Sequence, residues 1–137
     1  MKIASTLVAA GAALLLAAPA LQAEETGEPA KTEGQLKLEK MLDGRVAGEP
    51  QSCIRNFPST DLTIIDGTAL VYKSGGTLWV NIPRNADDID DDDTLVTRTS
   101  ASRLCRTDIV TTIDRFNQFY TGNIFLGDFV PYRRVDS

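Results

Sequence analysis

The stretch "TIIDGTALVYKSGGTLWVNI" (63–82) constrains the fold of this chain more than any other. β-branched and aromatic residues dominate it, and Asp66-Gly67 and Gly75-Gly76 punctuate it. Such pairs between extended segments are two-residue hairpin signals. They predict an antiparallel meander with strands near 61–65, 68–74 and 77–82. In the third strand Leu78, Val80 and Ile82 share one face, and Thr77, Trp79 and Asn81 share the other. Further strands are predicted at 52–57, 94–99, 107–114 and 123–132. Within 107–114, Ile109, Thr111 and Ile113 alternate with Val110 and Thr112. About seven short strands at this spacing predict an all-β chain, a small single-domain barrel or sandwich.

The N-terminus reads differently. "MKIASTLVAAGAALLLAAPALQAEE" places Lys2 before an apolar run from Ile3 to Ala18, then Pro19 and small residues. This is the layout of a secretory signal peptide, with cleavage after Ala23 and a second fitting site after Ala20. Residues 1–23 are therefore read as a signal peptide, which makes the protein exported, either periplasmic or secreted, with no stable membrane anchor after cleavage. Residues 24–34 form an acidic, nearly apolar-free leader. At the start of the next segment, 35–50, Gln35 has capping-box spacing from Thr32. Leu38, Met41 and Leu42 lie on one helical face, and Gly44 stands where a C-terminal cap belongs. A short helix over about 35–43 should dock on the β domain (51–137) by that stripe.

Removing residues 1–23 takes away one cation and no acid, which leaves 13 cations, 19 anions and a net charge of −6. A chain so acidic lacks the basic surface that phosphate binding needs, which argues against DNA, RNA and anionic lipid as partners. Cys53 and Cys105 are the only cysteines, and the chain has no histidine. In an exported protein such a pair predicts one structural disulfide rather than a metal or redox site.

"NADDIDDDDTL" (85–95) holds six aspartates between Asp87 and Asp93, broken only by Ile89. A calcium loop of the EF-hand type needs glycine at position six and glutamate at twelve. Counting from Asp88 puts Asp93 and Thr99 there, and counting from Asp87 puts Ile89 at position three. Mutual repulsion instead predicts an extended, hydrated loop with no bound metal. From residue 51 onward there are 9 cations and 12 anions, so this run sets the sign of the domain.

Without histidine or a free thiol, the familiar triads and dyads have no base or nucleophile. No cofactor-binding motif is present either. A carboxylate pair drawn from Asp61, Asp66, Asp108, Asp114 and Asp128 remains as a route to hydrolysis. The leading expectation is a non-catalytic binding or interaction module with a protein or small-molecule partner. Its candidate ligand face carries Trp79 and Asn81, with Phe116, Phe119, Tyr120, Phe125, Phe129 and Tyr132 as a second region. Core packing is the simpler fate for most of these aromatics. The alternative is an envelope accessory protein without a ligand. An exposed aromatic cluster favours the first, and its absence favours the second.

"GRVAGEPQSCIR" (44–55), "ID" (65–66), "LVY" (70–72), "WVNIP" (79–83), "LCRTD" (104–108) and "LGDFVPY" (126–132) together resemble a family of small exported bacterial proteins. It is classed as domain of unknown function, number 6491. The resemblance runs from about Gly44 to Tyr132. It implies export and a four-cysteine pattern, two of which match Cys53 and Cys105. The other two positions, near Ala86 and near Ile124 or Phe125, carry no cysteine here. Their joint absence implies that they pair with each other, leaving Cys53 to pair with Cys105. Thr107 stands where the family has glycine. No activity is established for the family, so the resemblance implies none.

Overall fold

In the computed structural model, which describes residues 27–55, 60–99 and 101–135, the central meander forms where the glycine pairs place it. Strands β3 (Asp61–Ile65), β4 (Ala69–Ser74) and β5 (Thr77–Asn81) pair in antiparallel order. Ser74 pairs with Thr77 across a two-residue turn, and Gly75 at its first position has φ +59°. A type II′ hairpin demands that conformation, and glycine adopts it without steric cost. The first turn takes three residues rather than the predicted two. Thr68 joins Asp66 and Gly67, and its amide donates to the Ile65 carbonyl.

Seven further strands surround the meander among the described residues. They are β1 (Arg45–Ala47), β2 (Cys53–Arg55), β6 (Asp93–Thr97), β7 (Arg103–Cys105), β8 (Ile109–Asp114), β9 (Tyr120–Phe125) and β10 (Phe129–Arg134). One five-stranded sheet has the order β1-β10-β5-β4-β3. A three-stranded sheet has the order β6-β8-β9, and β2 and β7 form a separate ribbon. Every pairing is antiparallel and no sheet closes on itself, so of the two predicted architectures the chain adopts a sandwich-like one.

Two predicted segments resolve differently. The segment expected as one strand at 123–132 breaks at Leu126–Asp128, because β9 belongs to the three-stranded sheet and β10 to the five-stranded one. Arg45–Ala47, expected as connector, is an edge strand against β10.

The helix α1 (Glu33–Leu42) starts as its sequence dictates. The Thr32 hydroxyl accepts from the Gln35 amide at 3.2 Å, and the Gln35 side chain accepts from the Thr32 amide at 3.0 Å. Gly44, with φ +72°, follows its end. Leu38, Met41 and Leu42 pack on Ile65, Ala69, Val71, Leu78 and Val80, which is the docking the stripe predicts. The opposite face of the same sheet supplies Leu70, Tyr72 and Phe129 to a second cluster. There they meet Ile54 and Leu104 of the ribbon and Val110 and Ile124 of the three-stranded sheet. Both faces of the five-stranded sheet are thus covered, which is why Ala69, Leu70, Val71 and Tyr72 are all buried despite alternating direction.

Residues Lys31–Ser137 form one unit holding all of these elements. Met1–Ala30 form another, of which residues 27–30 are described and carry no regular structure. The predicted signal peptide lies outside the described residues, as do residues 24–26 of the leader. Among the described residues no helix is long and apolar enough to cross a membrane.

Candidate functional site

Trp79 and Asn81 point from β5 toward the ribbon, but the structure gives them different roles. Asn81 has no exposed surface. Its Nδ2 donates to the Gly127 carbonyl at 2.7 Å, and its Oδ1 accepts from the Gly127 amide at 2.9 Å. The amide side chain replaces a ladder partner at the break between β9 and β10, where a buried backbone needs one. Asn81 is therefore withdrawn from the candidate ligand face as a positioning residue of the fold. Gly127 is matched to this contact, because a Cβ there would lie 2.6 Å from the Ile82 carbonyl oxygen.

Trp79 remains at the rim of the core, partly buried, and lines a cleft of about 720 Å³. The five-stranded sheet contributes Ser74, Trp79 and Arg133 to it, and the ribbon side contributes Gln51, Arg55 and Arg103. The Arg133 guanidinium lies over the Trp79 ring, 5.9 Å from its centroid. Arg55 and Arg103 are direct cross-strand partners. No carboxylate lines the cleft among the described residues.

The ribbon that carries these arginines is held by the predicted disulfide. Cys53 and Cys105 are directly opposed, with Cα atoms 4.0 Å apart. The Asp108 carboxylate accepts from the Cys105 amide at 2.7 Å, and the Asp108 amide donates to the Cys105 carbonyl, which closes the turn into β8.

The second candidate region departs from the core fate expected for it. Only Phe129 is fully buried, edge-on to Tyr72 at 5.9 Å. Phe116, Phe119 and Tyr120 are 79%, 73% and 64% exposed at the β8–β9 connection. That connection is nonetheless well held. The Asp114 carboxylate accepts from the Phe116 and Asn117 amides, the Gln118 amide donates to the Asp114 carbonyl, and Gln118 takes φ 62°. The register puts Tyr120 beside Ile113, and Ile109 beside Phe125, on the outer face of the three-stranded sheet. Both Ile109 and Phe125 are exposed there, on the same sheet face as the tip, with the hydrogen-bonded polar pair Thr111 and Asn123 between them.

The aspartate run is more ordered than the hydrated loop expected. Ile89 is buried in the main core, and Ala86–Asp88 form one 3-10 turn. Asp90 accepts from the Asp92 amide, and the Asp93 amide donates to the Asp90 carbonyl. Asp93 is the first residue of β6 and only 8% exposed. The Thr121 hydroxyl donates to it at 2.7 Å and lies 2.8 Å from the Thr112 hydroxyl. A register shift near Thr112 and Ile113 leaves Thr121 as the extra residue of β9 and lets it reach Asp93. Asp87, Asp88, Asp90, Asp91 and Asp92 are exposed as expected. The fold also brings Asp66 beside Asp90 and Asp91, all three exposed, a proximity that no sequence spacing signals.

The remaining carboxylates weighed for hydrolysis mostly have structural partners. Asp108 and Asp114 bind backbone amides, and Asp128 pairs with Arg106 at 3.0 Å. Compared with protein-family models, curated proteins and solved structures, the chain finds no match.

Proposed function

We propose that this is an exported, disulfide-stapled, non-catalytic interaction module. It docks a protein partner through the β8–β9 hairpin tip. The observation that carries this reading is the exposure of Phe116, Phe119 and Tyr120 on a turn fixed by Asp114. At about 200 Å² per aromatic side chain, the three expose roughly 400 Å², in the range of the largest apolar patch on a typical soluble monomer, which is often functional. Rigid aromatics also bind with little loss of conformational entropy. The net charge of −5 for the whole chain disfavours anionic lipid as the alternative surface. Export is supported by the disulfide and by the layout of residues 1–23.

Membership of the family that the motifs resemble is part of the same proposal. Its support is that Asn85 accepts from the Phe125 amide at 2.9 Å, while Ala86 packs on the cluster holding Ile124. The two positions lacking cysteine are therefore neighbours.

A photo-crosslinking amino acid at position 116, irradiated in intact cells, is expected to give a discrete protein adduct. The same amino acid at exposed Lys73 should not give it. Identical adducts from both positions, or adducts to lipid alone, would overturn the reading. An adduct of twice the chain mass would identify the partner as a second copy.

A further inference from the structure

We infer that the partner protein presents to the β8–β9 tip an apolar pocket rimmed by lysine and arginine side chains. The inference rests on the reading of the tip as a protein-docking site and adds the chemistry of what docks there. The β6–β8 ladder ends at the pair Asp93 and Asp114, so the chain entering β6 runs beside the chain leaving β8. The Arg115 guanidinium donates to the Asp91 carbonyl at 2.8 Å and fastens the two segments together one residue before Phe116. From the other arm of the hairpin the Thr121 hydroxyl, next to Tyr120, donates to the Asp93 carboxylate at 2.7 Å. The aspartate run is thereby fixed beside the aromatic tip. Asp87, Asp88, Asp90, Asp91 and Asp92 are all exposed there. The fold adds the exposed Asp66 beside Asp90 and Asp91. Arg115 is the only cation in residues 85–97 and 107–125, the segments that hold the run, the three-stranded sheet and its tip.

Shape and charge select the partner surface. Phe116 and Phe119 project from a hairpin turn, so their complement is concave, and aromatic anchors seated in pockets carry most of the energy of an interface. Exposed carboxylates closer together than a Debye length of about 8 Å add their potentials and give the rim of the tip one sign. A cationic rim on the partner is steered toward that potential, and an acidic one is repelled. The same repulsion disfavours a second copy, because tips meeting about their aromatics would bring two aspartate runs together.

The test combines the photo-crosslinking amino acid at position 116 with Asp87→Asn/Asp91→Asn/Asp92→Asn. This set spares the Asp88 and Asp90 carboxylates, which accept from the Asn85 side chain and the Asp92 amide. A control chain carries Glu28→Gln/Asp43→Asn/Glu49→Gln, which removes the same charge from exposed positions outside the three-stranded sheet. In intact cells the yield of adduct per chain is expected to fall at least about threefold in the aspartate variant, as for the loss of rim charges that steer encounter, and to stay unchanged in the control. Raising the salt concentration around an isolated envelope fraction should lower the parent's yield toward that of the variant. Absence of adduct from the parent would remove the docking reading and this inference with it. An adduct whose yield is unchanged or raised in the aspartate variant, or lowered equally in the control, would overturn the inference alone and leave docking at the tip standing. An adduct of twice the chain mass would overturn it in the same way. Should the aspartate variant fail to fold, as read by circular dichroism, the salt titration of the parent decides, and a yield independent of salt would overturn the inference.

Discussion

Replacing Asn81 tests the junction on which the arrangement of the sheets depends. Asn81→Leu keeps the branched outline of the side chain, though with larger methyl groups, and removes both hydrogen bonds to Gly127, 2.7 and 2.9 Å long in the parent. It leaves one N–H and one C=O without a partner in a part-buried setting. Each such group costs about 1–3 kcal/mol. Because Gly127 retains some exposure, the lower half applies, and about 3 kcal/mol is expected in total. For a unit of this size that lowers the melting temperature by roughly 12–20 °C.

Asn81→Asp separates donor from acceptor. The carboxylate still accepts from the Gly127 amide but faces the Gly127 carbonyl with no proton to donate. Its neutral form restores both bonds, so burial and the carbonyl both raise its folded-state pKa above the unfolded value of about 3.9. Stability conferred by the protonated form is fully present below about pH 4 and is lost as pH rises through the folded value. Urea denaturation of parent, Asn81→Leu and Asn81→Asp at pH 4 and pH 7 reads both effects. The aspartate variant should lie near the parent at pH 4 and well below it at pH 7, while the leucine variant shows the same deficit at both. Either variant within about 0.5 kcal/mol of the parent at pH 7 would refute a structural role for the amide.

Cys53→Ala/Cys105→Ala should lose about 4 kcal/mol by chain entropy, measured by denaturant unfolding against the oxidised parent. The Tyr72 phenol is raised well above its ordinary pKa by burial, so its contribution is complete below about pH 10 and lost as pH rises further. Tyr72→Phe should accordingly flatten the alkaline arm of the stability profile. Calorimetric titration should show no saturable calcium binding tighter than about millimolar, and a micromolar site abolished by Asp90→Asn/Asp91→Asn would refute that. Mass spectrometry of protein recovered from the periplasm should show a chain beginning at Glu24 or Leu21, and retention of Met1 would remove the signal-peptide reading.

What the sequence determined alone is what short-range chemistry decides. The capping box at Thr32 and Gln35, the glycine after the helix and the Gly75-Gly76 turn all follow from residues within a few positions of one another. The apolar stripe of α1 needed only helical periodicity, and the disulfide followed from there being two cysteines. Four decisions belonged to the tertiary structure. Period-two alternation names two faces of β5 without saying what covers each. A helix covers one and the ribbon closes over the other, which buries Asn81 and leaves Trp79 at a rim. Aromatic residues carry the same side chains in a core or on a tip, and Asp114 fixes a turn that extends Phe116 and Phe119 into water. Charge repulsion described the exposure of Asp87, Asp88 and Asp90 to Asp92 correctly but not their turns, and Asp93 is buried because Thr121 comes from β9 to meet it. The opposition of Arg55 and Arg103, 48 positions apart in the chain, exists only through the register of a ladder. Local propensity acts over a few residues, whereas cover, register and charge proximity depend on which distant segments are neighbours.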